Sequence, residues 1–332
     1  MIEPVRAEQL INVAVGVIEL SSAELDDPGP DELVVRTSVS GISPGTERAW
    51  CLGLPDTPRT WPRQTGYSLV GEVVAAGTNV EIELGTRVHA REPHASAVLT
   101  RTDRVTPLPE EVDDAQATFL AQLQIALGGV RRARVELGET VLVIGGGLIG
   151  QLAAQFAHAA GAGEVLLADL SEHRRDLAEI CGHATSVDPA SDDGQARIAA
   201  TGEHGGPDVV IEVTGAPEPI RDAFRFAAPG GRVVLLGSTR GATDQVNFYR
   251  DVHKKGLTIV GAHNAVRPRE DDRPGAWTAA RDDRAALRLL RAGRLNVAPL
   301  ITHRYPAREF ETAYRLLFDW DERFVGCVLE WA

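Results

Sequence analysis

Three glycines spaced as Gly145, Gly147 and Gly150 sit inside the run VLVIGGGLIG at 141–150. This is the spacing with which a protein backbone holds a pyrophosphate. The first glycine permits a tight turn out of a strand. The second has no side chain, so a phosphate can approach the backbone. The third lets the following helix pack close to its sheet. That helix begins at Leu148 and Ile149, and its free N–H groups and partial positive charge face the anion. Nineteen residues after Gly150, the run EVLLAD ends in Asp169, followed by Leu170. A carboxylate there accepts hydrogen bonds from ribose hydroxyls and repels a 2′-phosphate, so the expected cofactor is NAD in preference to NADP. Arg174 and Arg175 follow and read as a solvated helix face. Two later turns fit the same site: Thr214 and Gly215 in EVTG, and Gly237 in LLGS. Ligands of open parallel sheets lie beyond the carboxyl ends of the strands, which is where these residues fall.

The elements that position this motif follow from periodicity. Short apolar runs at 140–145, 164–169, 184–188, 208–213, 231–237 and 257–262 alternate with helical stretches, for example 148–160 and 171–181. Continuous runs such as VLVIG, VVIEV and VVLLG suit strands covered on both faces. The fold class is therefore α/β, with a doubly wound parallel sheet of the Rossmann type. The stretch from Val141 to Gly163 lacks Asp, Glu, Lys and Arg and has the length of a membrane span. Its glycines break it into a buried strand, a turn and a buried helix.

Residues before about 122 read differently. ELVVRTSVSGI (32–42), GYSLVGEVVAAG (66–77), TRVHA (86–90) and SAVLTRTD (96–103) are β-rich runs, and nine prolines between 28 and 109 punctuate them. Ser43-Pro44-Gly45 reads as a turn after the first run. The profile is a small, partly open barrel with long loops. After His263 come a charged loop at 267–277, helices near 280–292 and 308–318, and a final strand at 324–331. This tail is too short to be a domain and is expected to return to the N-terminal segment. The expected division is 1–122 with 264–332, and 123–263.

Composition narrows the function. The 332 residues carry 34 Lys and Arg against 47 Asp and Glu, a formal charge of −13. That balance argues against nucleic-acid or anionic-membrane partners and leaves a small molecule. Cys51, Cys181 and Cys327 form no CxxC pair, so neither a disulfide scaffold nor a thiolate zinc lobe is expected. The first ten residues lack an apolar stretch, and the expected location is a reducing cytoplasm.

With these runs in view, the chain resembles the medium-chain dehydrogenase/reductase superfamily over nearly its whole length. The resemblance rests on 31–43, 66–77, 141–171, 207–215, 229–237 and 300–317. It implies a GroES-like catalytic domain split around a Rossmann domain, and a homodimer joined at the sheet edge near 257–262. GISPGTE (41–47) and FYRDVHKKGLTIVGAH (248–263) resemble the branch of bacteriochlorophyllide 1-hydroxyethyl dehydrogenase-like proteins. The departures are chemical. Where zinc enzymes of this superfamily carry a ligand Cys, this chain has Ser43; in place of the GHE histidine it has Tyr67, in Gly66-Tyr67-Ser68. The stretch FLAQLQIALGGV (119–130) offers no third ligand, and residues 85–110 contain no Cys. Hydroxyl and phenol groups are poor Zn²⁺ ligands. The expectation is no metal, neither catalytic nor structural.

Without a Lewis acid, the oxygen of a reacting alcohol or ketone needs a proton partner. The candidates are Tyr67, His94, Ser43 and Thr46. Tyr67 would need its pKa lowered from ~10 to act as a base; His94, in REPHASAV, is an imidazole, the side-chain type best suited to proton transfer near neutral pH. Glu47 could orient a relay, and Trp50, Trp61 and Phe119 are candidate walls. His253, Lys254 and Lys255 read as a solvated turn. The expected function is a zinc-independent, NAD-dependent oxidoreductase of a secondary alcohol or ketone, in the biosynthesis of a cyclitol, sugar or other specialised metabolite. Two alternatives stand beside it: a quinone or enone reductase of the same superfamily, and a non-catalytic NAD-binding scaffold.

Overall fold

A computed structural model describes residues 6–266, 268 and 276–331. The charged loop expected at 267–277 lies almost wholly outside the described residues. The chain divides into two compact units, one of residues 1–121 with 301–332, the other of residues 122–300. Residues 264–300 thus group with the central sheet rather than with the terminal strands.

The central unit holds six parallel strands: Thr140–Ile144, Glu164–Ala168, Thr185–Val187, Val209–Glu212, Arg232–Leu235 and Thr258–Gly261. Across the sheet they lie third, second, first, fourth, fifth, sixth. That order reverses at the first strand, the topological switch point where doubly wound sheets bind nucleotides. The first strand is central and buried on both faces, as its unbroken Val-Leu-Val-Ile run requires. The apolar stretch from 141 to 163 becomes that strand, the glycine turn and helix Leu148–Ala160, which Gly161 ends at φ +104°. No helix among the described residues is long and apolar enough to cross a membrane.

Lys255 is not part of a solvated turn. Its Nζ donates to the carbonyls of Phe224, Arg225 and Ala227 at 2.9, 2.7 and 2.6 Å, capping helix Pro219–Phe226 with a cation where the dipole favours one. His253 stacks on Tyr249 at 5.6 Å.

The other unit is built on the eleven-residue strand Glu32–Ile42. It pairs antiparallel with Leu69–Ala76, Ala97–Arg101 and Cys327–Glu330. Six strands run in the order His303–Pro306, Cys327–Glu330, Glu32–Ile42, Leu69–Ala76, Arg87–Ala90, Val105–Pro107. A second, three-stranded sheet holds Val17–Glu24, Arg6–Ala14 and Arg63–Gln64. The Arg6–Ala14/Val17–Glu24 hairpin was not expected from sequence; its turn is Val15-Gly16, with Gly16 at φ +69°. Ser43-Pro44-Gly45 is not a free turn. It opens helix Pro44–Cys51, with Pro44 in the first turn where a missing N–H costs nothing. Cys51, Cys181 and Cys327 are all buried and free, and burial pushes the Cys51 thiol up to about 12.

Candidate active site

The register of two strands brings the chemistry together. Ser40 pairs with Leu69, so the exit of Glu32–Ile42 lies beside the entry to Leu69–Ala76. Ser43 follows the first strand and Tyr67 precedes the second. Their side chains meet: the Tyr67 hydroxyl donates to Ser43 Oγ across 2.6 Å. Tyr67 is half-buried and Ser43 is buried. Loss of water around the phenol, with the nearby Glu47 carboxylate, raises its pKa; the hydroxyls of Ser43 and Thr46 and the Arg91 cation pull weakly the other way. The lowered value that a base would need is not what this environment provides. Tyr67 is held as a neutral phenol.

Three of the four expected catalytic residues therefore cluster: Tyr67, Ser43 and Thr46. The fourth, His94, stands behind them. It is fully buried, 0% exposed, and both ring nitrogens are engaged. Nδ1 lies 2.8 Å from Ser40 Oγ and Nε2 3.1 Å from Glu47 Oε2. Glu47 also accepts the Ser43 backbone N–H at 2.7 Å and the Tyr314 hydroxyl at 2.5 Å. The Trp331 indole donates to Ser40 at 2.9 Å. A carboxylate only accepts, so Nε2 of His94 carries the proton toward Glu47, and the Ser40 hydroxyl donates to Nδ1. Every polar side-chain atom of Ser40, His94 and Glu47 in this run then has a partner. His94 cannot meet a substrate from this position; it steadies Glu47, which fixes the turn that carries Ser43.

Gly66 permits the arrangement. It adopts φ +79°, and a Cβ there would fall 2.4 Å from the His94 ring. On the far side of Tyr67, the Ser68 hydroxyl hydrogen-bonds the Thr118 carbonyl, so Nε2 of His89, at 2.7 Å, must donate to Ser68. His89 Nδ1 is left bare and without a partner. Burial and the Arg91 charge hold His89 down at about 3.

A hollow of about 510 Å³ opens at Tyr67 and Gly66, lined also by Trp50, Arg63, Arg91 and Arg104. Trp50 thus serves as a wall. Phe119 is wholly in the core, and Trp61 donates to Asn12 Oδ1 at 2.5 Å.

In the central unit the expected cofactor residues also converge. Gly145 turns at φ +111°, with Thr214 against it. A Cβ on Gly150 would sit 1.7 Å from the Gly145 carbonyl oxygen, whereas one on Gly147 would meet nothing within 4 Å. Gly147 thus leaves the open approach a pyrophosphate needs. Glu212 is buried; its Oε1 accepts the Thr214 N–H at 2.8 Å and its pKa is raised by burial. That bond holds the Thr214–Gly215 loop, with Gly215 at φ +77° and close to Gly237. Asp169 Oδ2 accepts the Gly146 N–H at 2.6 Å and Oδ1 accepts the Ser171 N–H at 2.8 Å. Leu170 is exposed beside it.

The arginines after Asp169 are not a solvated face. Arg175 Nη1 donates to the carbonyls of Asp169 and Leu170 at 2.8 and 2.9 Å, and Arg174 Nη1 lies 3.9 Å from Asp169 Oδ2. Sequence reasoning read them as surface charges because helical spacing alone does not show the turn at 169–171 folding back over them.

A doubly wound unit with an open-faced glycine turn, and a barrel-like unit bearing a half-buried phenol bonded to a serine hydroxyl, define a dinucleotide-dependent oxidoreductase. Comparisons with known proteins agree. The zinc-binding dehydrogenase family matches residues 149–278. The D-guloside 3-dehydrogenase of Escherichia coli K12 is 30% identical over 243 residues, 72% of this chain and 69% of its own. The L-threonine 3-dehydrogenase of Pyrococcus furiosus is 27% identical over 338 residues, 90% and 91% of the two chains. Among solved structures, the 2R,3R-butanediol dehydrogenase of Bacillus subtilis superposes with a TM-score of 0.82 at 23% identity, covering 98% and 99%. The chain belongs to the medium-chain, zinc-binding-type dehydrogenase superfamily.

Proposed function

We propose that this protein is an NAD-dependent dehydrogenase of a polyol-type secondary alcohol, or a reductase of the matching ketone, that works without a catalytic zinc. The reading is carried by the Tyr67–Ser43 pair. These residues stand at the sequence positions of two zinc ligands in the resembled enzymes, and their hydroxyls bond to each other across 2.6 Å. The donor set does not fit Zn²⁺: it offers neutral oxygens where thiolate and imidazole are needed. Among the described residues no group of three or more His, Cys, Asp or Glu could hold a metal ion.

The nicotinamide cofactor does fit. Gly145, Gly147 and Gly150, with the N–H groups at Leu148 and Ile149, would hold the pyrophosphate, and Thr214, Gly215 and Gly237 would border the nicotinamide end. Asp169 would take the ribose hydroxyls and Leu170 would offer apolar surface to the adenine. When bound, the cofactor supplies a two-electron hydride couple. The protein's part is the proton. Tyr67 stays protonated at neutral pH, so it donates to a carbonyl oxygen as negative charge develops there. Ser43 and Thr46 hydrogen-bond the phenolate left behind until water in the open hollow returns its proton, and Glu47, held by His94 and Tyr314, keeps Ser43 in place.

The relatives named above are named as dehydrogenases of a guloside, threonine and butanediol, which supports a small polyol or hydroxy compound as the substrate class. The exposed edge strand Thr258–Gly261 supports a homodimer formed by pairing that edge; light scattering at assay concentration tests it, and a monomer would remove it. The cytoplasm remains the proposed location.

The deciding assay follows NADH and NADPH with panels of polyols, ketones and enones, with the metal content of the same active sample measured. Turnover of ketones or polyols with NADH in metal-free protein is expected. Stoichiometric, tightly held zinc in active protein would overturn the metal-free reading. Enone reduction with a strong NADPH preference would replace it by a conjugate reductase, for which the two arginines beside Asp169 are the observation in favour. Tight NADH binding with no turnover anywhere would leave a scaffold.

A further inference from the structure

Three neighbouring strands of the barrel-like unit leave their sheet at one end, and each delivers a polar residue there. Ser40 of Glu32–Ile42 pairs with Leu69, and Leu69 pairs in turn with Ala90 of Arg87–Ala90. Ser43 follows the first strand, Tyr67 precedes the second and Arg91 follows the third. Tyr67 and Arg91 both line the hollow of about 510 Å³, and Arg91 is half-buried. Its backbone is fixed: the N–H donates to the Arg104 carbonyl at 3.0 Å, and its own carbonyl accepts from Arg104 Nη2. The other two arginines of the lining are directed elsewhere. Arg63 lies over the Trp50 ring, 4.3 Å from the centroid, and Arg104 Nε donates to Glu92 Oε1 at 2.5 Å. Glu92, the neighbour of Arg91 in sequence, also accepts from Thr100 Oγ1 at 2.6 Å. Of the charges that act on Tyr67, Glu47 opposes a phenolate and Arg91 favours one.

We propose that Arg91 supplies the positive charge against which Tyr67 gives up its proton. The proposal deepens the hydride-transfer reading above and rests on it. In reduction, the carbonyl carbon gains a hydride from the nicotinamide and the carbonyl oxygen takes the phenol proton. The electron pair of the broken O–H bond stays on Tyr67. Negative charge then sits where burial opposes it. A guanidinium keeps its charge at every working pH, and its attraction is stronger in such a place than in open water. Ser43 and Thr46 hydrogen-bond the phenolate, Arg91 offsets its charge, and water in the hollow returns the proton. The same charge serves oxidation, in which the phenolate forms first and takes the proton of the alcohol. Arg91 thus does at one remove, through the phenol, the charge-neutralising part of a Lewis acid's work. It is a positioning residue: it places charge and leaves contact with the reacting oxygen to Tyr67.

The test combines Arg91→Gln, Arg91→Lys and Tyr67→Phe, with the melting temperature of each followed. Arg91→Gln should lower kcat for ketone reduction by NADH about 10- to 100-fold, less than the loss of a donor that touches the reacting oxygen. KM should be little changed. Arg91→Lys, which keeps the charge without the fork, should recover most of the rate. In a Tyr67→Phe background Arg91→Gln should cost nothing further, because no phenolate forms there. No loss in the single variant, or an equal loss with and without the phenol, would overturn the proposal and leave the dehydrogenase reading standing. A second readout needs neither cofactor nor substrate. Ultraviolet titration of tyrosinate, parent minus Tyr67→Phe, isolates Tyr67 among the four tyrosines. Arg91→Gln should move the onset of that signal to higher pH, and an unmoved onset would overturn the proposal. If the onset moves while the parent turns over no ketone or polyol, the pairing of Arg91 with Tyr67 stands and the hydride reading falls.

Discussion

The Tyr67 hydroxyl donates to Ser43 Oγ at 2.6 Å, and the backbone N–H of that same Ser43 is held at 2.7 Å by Glu47. The phenol is thereby positioned from behind, through one serine that uses its side chain in front and its main chain at the rear.

The first prediction concerns that phenol. Tyr67→Phe removes the proton donor but little packing. It should lower kcat for ketone reduction by about 10²–10⁴-fold, the usual worth of general acid catalysis, with an unchanged melting temperature. Because burial raises the Tyr67 pKa, the phenol is protonated below pH 10. Reduction by the parent protein should therefore be flat from pH 6 to 9, while alcohol oxidation, which needs the deprotonated form, should climb with pH across that range. A reduction rate that falls off near pH 7 would assign the proton to another group.

Glycine substitutions separate folding from binding. Gly150→Ala must displace the Gly145 carbonyl, because the new Cβ would lie 1.7 Å from its oxygen. It should lower both melting temperature and NADH affinity. Gly147→Ala meets nothing within 4 Å, so the apo protein should melt as the parent does while calorimetry shows weakened NADH binding. Normal NADH affinity in Gly147→Ala would place the pyrophosphate elsewhere.

Asp169 lies beside Arg174 and Arg175. Asp169→Ser should weaken NADH binding about 10- to 100-fold, the cost of losing charged hydrogen bonds to ribose. It should also raise the relative use of NADPH, because the repelling carboxylate is gone and the arginines remain. The ratio of kcat/KM for the two cofactors reads this out directly.

Acid stability should show His89. Its pKa in the folded protein is about 3, below the unfolded value of ~6.5, so between these values the unfolded chain binds the extra proton. Stability should be intact above pH 6.5 and fall as pH drops toward 3. By pH 4.5 the loss should be about 2–3 kcal/mol, at about 1.4 kcal/mol per unit. His89→Gln should flatten this limb in urea titrations run at pH 7 and 4.5, even if it lowers stability at both.

Removing the Glu47 carboxylate leaves three buried donors, the Ser43 N–H, His94 Nε2 and the Tyr314 hydroxyl, without their acceptor. Glu47→Ala should cost about 3–5 kcal/mol, at about 1–3 kcal/mol for each buried donor left unsatisfied with partial relaxation, measured by chemical denaturation. Glu47→Gln, which keeps two polar atoms, should cost less and recover part of the activity.

How much of this was legible in the sequence depends on how local the signal is. The central sheet could be read strand by strand, since buried parallel strands are short unbroken apolar runs and the glycine turn carries its own spacing. Asp169, Thr214 and Gly237 followed because each closes one of those runs. Tyr67 and Ser43 were visible as a pair because each replaces a residue type at a known spacing. What was not legible depends on long-range contact. His94 meets Glu47 across 47 positions, and Tyr314 meets it across 267. No window of sequence shows that a loop histidine is walled in by Gly66. The first hairpin was missed for another reason: Val17–Glu24 is largely exposed, so its apolar pattern is weak.

The closing strand Cys327–Glu330 pairs with Glu32–Ile42, and Trp331 then donates to Ser40. During synthesis the ribosome delivers residues 32–42 far ahead of their partner strand at 327–330. The sheet of residues 140–261 has by then emerged entire and is free to fold as a unit. The growing polypeptide can therefore acquire its nucleotide-binding sheet well before the barrel-like unit that carries Ser43 and Tyr67 is closed, and that unit waits for the strand 327–330.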